Sequence, residues 1–160
     1  MTVETLYDQL DEIAKLPKEQ HREAAQPIID GIIAGLNSSD IGAISQASAA
    51  INHEVMSGDD GLFGDEVGKD MIVNCVIARA FVQALQAQTD RRLRAEIIES
   101  AWEFVDNNFP GDEAAPELYT ALQQAARSTE GEALEYAKKA IKILEEDYPE
   151  LLAANPEPGD

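Results

Sequence analysis

Carboxylates are the residues best placed to do chemistry. Glu96, Glu99 and Glu103 recur at spacings of three and four, which on a helix aligns them along one face, and Asp70 lies in the preceding apolar segment. Hard oxygen ligands of this kind hold Mg²⁺ or Mn²⁺, and a metal so held polarises a phosphoryl oxygen or activates a water. The chemistry implied is that of a metal-dependent all-α hydrolase. The same stripe, continued by Asp106, falls opposite the apolar side formed by Leu93, Ile97, Ala101, Phe104 and Val105. It is therefore expected to face water rather than a cleft, and the hydrolase is the alternative reading rather than the leading one.

Other catalytic patterns are missing. The two histidines, His21 and His53, stand in neither a zinc-ligand spacing nor a Glu-x-x-His arrangement. The segment SGDDGLFG at 57–64 departs from a calcium-binding loop, because Gly61 and Phe63 occupy ligand positions when Asp59 is taken as the first. No Gly-x-Ser-x-Gly, Walker or Gly-x-Gly-x-x-Gly motif occurs. Cys75, the single cysteine, has no partner for a disulfide and sits in the apolar run Met71 to Ala78, the setting of a small buried hydrophobe in a reducing compartment. No cofactor is expected.

A second kind of chemistry, recognition, is suggested by where the remaining carboxylates fall. Asp106 and the trio Glu145, Glu146 and Asp147 lie at the C-terminal ends of their helices, where the macrodipole disfavours negative charge by about 0.3–1 kcal/mol each. If helical hairpins stack in register, these residues share one edge, an acidic face suited to a cationic partner. Leu62 and Phe63, an apolar pair in an acidic, Gly-flanked loop, and Trp102, at the border between apolar and acidic helix faces, would supply apolar anchors.

The overall charge points the same way. Among 160 residues, 31 Asp and Glu face 12 Lys and Arg, a net charge of −19. Residues 1–60 carry −8 and 101–160 carry −10, whereas 61–100 carry −1. Affinity for phosphates is built from clustered Lys and Arg, and the cluster of Arg91, Arg92 and Arg94 is small against this charge, so direct binding to nucleic acid or anionic lipid is not expected. The acidic N-terminus has no basic signal or transit pattern, and the most apolar stretch, Met71 to Leu85, is too short to cross a bilayer of about 30 Å. These features point to a cytoplasmic protein without a membrane span.

The elements that must position these residues are helices. Apolar residues recur at three or four throughout, and no stretch alternates with period two, so the class is all-α. Leu6, Leu10 and Ile13 mark a first helix. A second runs from Pro17 to Leu36, kinked or restarted at Pro27. A third, capped by Ser38 or Ser39, carries Ile41, Ile44, Ala47, Ile51 and Val55 on one face. The fourth starts at Asp65 and reaches about Gln88, apolar on more than one side; the fifth spans Asp90 to Asn107. Pro116 starts the sixth, and Ser128 or Thr129 caps a seventh that ends at Tyr148-Pro149.

FVQALQA at 81–87 resembles LYTALQQ at 118–124, offset by 37 residues, and FVDNNFP at 104–110 resembles ILEEDYP at 143–149, offset by 39. A shared helical hairpin explains both, with a third from Pro17 to Met56. About seven helices arranged as stacked antiparallel hairpins follow, either a compact bundle or a short helical-repeat array. One domain is expected over 1–152, with a disordered acidic tail at 153–160. The leading functional expectation is a non-enzymatic acidic interaction module, an immunity, inhibitor or adaptor protein for a basic protein partner. A metal-dependent hydrolase is the alternative, and a salt-adapted structural protein with no specific site is a further one.

Overall fold

Apolar residues three and four apart wind the chain into eight helices among the residues described by a computed structural model, 3–53, 56–57 and 70–154. They are α1 (Val3–Ala14), α2 (His21–Leu36), α3 (Ile41–Ile51), α4 (Asp70–Ala87), α5 (Arg91–Asn107), α6 (Ala115–Arg127), α7 (Glu132–Asp147) and α8 (Glu150–Ala154), with a 3-10 turn at Lys18–Gln20. No strand occurs among the described residues, and no helix among them is long and apolar enough to cross a membrane. The all-α class and the hairpins are as expected; α8 is an additional short helix.

Some helix ends differ from their expected positions. Asp40, not Ser38 or Ser39, caps α3: its carboxylate accepts from the Gly42 N–H, while Ser38 Oγ accepts from the Asp40 N–H. Asp90 caps α5 as its position suggests, accepting from the Arg92 and Leu93 N–H groups. Gly131 precedes α7 with φ +70°, a conformation that Ser128 and Thr129 would adopt only with strain; Ser128 instead closes α6. Pro27 neither breaks nor restarts α2, which is continuous through it. The α3 helix stops at Ile51, and Val55 and Asp65 lie outside the described residues.

The helices pair as three hairpins, α2–α3, α4–α5 and α6–α7, stacked in two layers. The first helices form one layer, α2 against α4 and α4 against α6; the second helices form the other, α3 against α5 and α5 against α7. α1 packs on α2 and α3, and α8 on α7. The packing passes from each hairpin to its neighbour, which is the arrangement of a short helical array. Side-chain bonds give the direction. Arg91 Nη2 donates to Glu130 at 2.7 Å near the starts of α5 and α7, and the Gly111 N–H donates to the Tyr148 hydroxyl at 3.0 Å just past their ends. The two helices therefore run parallel.

One apolar core runs continuously from Leu6 to Leu151. The middle hairpin is buried on both flanks, which explains why α4 is apolar on more than one side: Val73, Ile77, Ala80, Phe81 and Ala84 are all buried. Phe81 and Phe104 meet across this hairpin with ring centroids 5.5 Å apart. Alanines at the crossings, such as Ala78, Ala101, Ala121 and Ala137, are buried and let the axes approach. Gly35 lets α2 approach α3 closely, since an added Cβ there would lie 2.9 Å from the Ala43 carbonyl oxygen.

Candidate functional site

The carboxylate stripe of α5 is graded in exposure: Glu96, Glu99 and Glu103 are each half-buried, because α5 is the middle helix and α3 and α7 pack on its flanks, while Asp106 at its end is exposed. Glu103 accepts a hydrogen bond from Asn52 Nδ2 at the end of α3. Burial, and then the neighbouring Glu99 and Glu96, push its carboxyl above the usual range despite bonds from Asn52 and Ser48. On the other flank, Tyr136 of α7 hydrogen-bonds to Glu99, and the charges of Glu99, Glu132 and Glu103 raise its hydroxyl pKa. Trp102 is half-buried against Tyr136, ring centroids 5.0 Å apart, with Lys139 Nζ 5.4 Å from the Trp102 ring centroid. Its ring is largely engaged within the array.

The helix course separates Asp70 from Glu96 at the far end of the α5 stripe. Asn74 Nδ2 donates to the Phe109 carbonyl, so α4 runs antiparallel to α5 with its start beside the end of α5. At 1.5 Å per residue this places the Asp70 backbone about 20 Å from Glu96 along the helix axes. Among the described residues, no three His, Cys, Asp or Glu side chains converge to hold a metal ion.

A second acidic surface forms where the second-layer helices end. The parallel course of α5 and α7 brings Asp106 and the trio Glu145, Glu146 and Asp147 to the same end of the second layer. Of these, Glu145 is half-buried and accepts from the Tyr119 hydroxyl at 2.7 Å, so it ties α7 to α6. Asp106, Glu146 and Asp147 are exposed. Partial burial and then Glu146 raise the Asp147 pKa. Asp112 and Glu113, in the loop that follows α5, extend the same edge and are exposed. Among the described residues, no cation pairs with Asp106, Asp112, Glu146 or Asp147; Glu113 lies 4.0 Å from Arg79, which is bound more closely by Glu117 at 2.9 Å.

Phe109 lies in the loop between Asp106 and Asp112, and sequence reasoning does not single it out, although an aromatic in the run NNFPG is a visible signal. It is 51% exposed, while Asn108, Pro110 and Gly111 on either side are buried. Leu62 and Phe63, the loop pair proposed as anchors, lie outside the described residues, as does Asp59. His53 serves structure: its Nε2 is 3.6 Å from Asp11, and its ring lies 5.2 Å from that of Tyr7, so it holds α1 to the end of α3. No known protein family, characterised protein or solved structure matches the chain.

Proposed function

We propose that the chain is a non-enzymatic interaction module that recognises a basic protein through the acidic edge at the C-terminal ends of α5 and α7, as an inhibitor, immunity or adaptor protein would. The observation that supports this is the parallel register of the two helices, which leaves exposed Asp106, Glu146 and Asp147 at the same end of the layer. Helix C-termini are the least favourable places for these charges. A cationic partner would relieve that repulsion, and the concentrated charge would accelerate its encounter. General surface acidity needs no such placement.

Affinity capture from native lysate at low salt, followed by a salt gradient, tests the reading when run with two variants of equal charge change. Glu146→Lys reverses a charge on the edge, whereas Glu135→Lys reverses one near the opposite end of the same helix. A basic protein that elutes from the wild type at moderate salt should be lost by Glu146→Lys and kept by Glu135→Lys. Equal behaviour of the two variants would reduce the acidity to solvation and remove the proposal.

A further inference from the structure

We infer that Phe109 is the apolar anchor of this edge and that its partner presents an apolar pocket rimmed by Lys and Arg. The inference rests on the acidic edge being a binding surface. Its basis is a contrast between a fixed backbone and a solvent-facing side chain. The Phe109 carbonyl accepts from Asn74, which is 1% exposed; the Gly111 N–H donates to the hydroxyl of Tyr148, which is 6% exposed. Asn108, 5% exposed, donates to the Phe104 carbonyl through both its backbone N–H, at 2.9 Å, and its side chain, at 3.2 Å. The Ala115 N–H closes the loop onto the Gly111 carbonyl at 2.9 Å. Gly111 takes φ +95° to permit this path.

The loop is therefore held at successive residues by buried groups from α4, α5 and the end of α7, yet Phe109 is the most exposed large apolar side chain among the described residues. A side chain displayed on an immobilised backbone loses little entropy on docking, which is the property of a binding anchor. Its shape and chemistry define the counterpart. With buried residues on both sides, the ring projects as a knob, so the complementary surface is concave. Phenylalanine has no polar atom in its side chain, so the floor of that pocket is apolar. Asp106, Asp112 and Glu113 surround the ring in sequence and are exposed, so the rim is basic. The carboxylates would set the rate of encounter and the ring the lifetime of the complex.

The test uses the full chain with benzoylphenylalanine, a photo-crosslinking probe, in place of Phe109, Glu146 or, as control, Glu135. Irradiation in native lysate should join positions 109 and 146, but not 135, to the same basic protein. Peptide mapping should place the position-109 crosslink in an apolar cleft bordered by Lys and Arg. Against that purified protein, Phe109→Ala should weaken binding about thirtyfold, mainly by faster dissociation and with an unchanged salt dependence, while Phe109→Leu recovers part of the loss. Because the ring is exposed, both variants should keep the wild-type helical signal and melting temperature. Crosslinking from 146 but not 109, or a Phe109→Ala effect within twofold, overturns the anchor and leaves the acidic edge standing. Silence at both positions overturns both readings. A crosslink from 109 to a second copy of this chain, or to an acidic surface, overturns the pocket.

Discussion

Single residues set the electrostatic behaviour of the array, and Glu103 shows how. Its pKa in the folded state is raised above that of the unfolded chain, with burial as the first cause. The folded state therefore holds the proton more tightly, and by linkage stability increases as pH falls through the raised value toward the ordinary carboxylate range. Asp147 has the same sign. Melting temperature should thus rise as pH is lowered from 7.5 toward the ordinary carboxylate range, against the common pattern in which paired carboxylates lose stability on acidification. Glu103→Gln keeps an acceptor for Asn52 and removes the charge. It should raise stability at pH 7.5 by about 0.5 kcal/mol, a size suited to a partly solvated group, and flatten part of the pH slope; a lower melting temperature would show that the carboxylate is stabilising. Tyr148→Phe deletes the partner of the Gly111 N–H and should cost about 1 kcal/mol in urea unfolding.

At the scale of elements, two glycines of α2 differ only in what lies beside them. An added Cβ at Gly31 meets nothing within 4 Å, while at Gly35 it would lie 2.9 Å from a backbone oxygen and 3.0 Å from Ala47 Cβ. Gly31→Ala should therefore stabilise by about 0.5–1 kcal/mol through helix propensity. Gly35→Ala should destabilise by about 1–3 kcal/mol, because α3 must move away. Chemical denaturation of the pair measures the close approach of the first hairpin directly, and equal effects at both sites would contradict it. The helix caps make a simpler case: Asp90→Ala leaves two N–H groups of α5 without their acceptor and should cost about 1 kcal/mol.

The whole molecule is a stack in which interior and end hairpins have unequal support. α4 and α5 are covered on both flanks, whereas α1 and α8 each lie at one end. In such arrays local opening starts at the ends. Hydrogen exchange should be slowest for amides of 77–85 and 97–105 and fastest in α1 and α8. Uniform protection would instead indicate a closed bundle that opens as a unit. The net charge of −19 also acts on the whole: raising NaCl from 0.15 M to 1 M shortens the screening length from about 8 to about 3 Å, which should raise the melting temperature without changing the order of exchange.

The helices, their apolar faces and the hairpin register could be read from the residues alone. Sequence offsets of 37 and 39 between similar segments reappear as direct bonds between residues 37, 38 and 39 apart, at Gly111–Tyr148, Arg79–Glu117 and Arg91–Glu130. This works because a repeated hairpin stacks equivalent positions on one another. Tertiary structure decided what covers each face. Periodicity shows that the α5 stripe opposes the apolar side, but only a third hairpin beyond it makes α5 a middle helix and half-buries Glu96, Glu99 and Glu103. Likewise, Glu145 and Glu146 are adjacent acids in sequence; a hydroxyl from α6 engages one and leaves the other exposed. Phe109 belongs with these, because no local pattern states that a loop is pinned. Its immobility comes from Asn74 and Tyr148, 35 and 39 residues away, and exposure of a side chain is the outcome of all the neighbours it does not have.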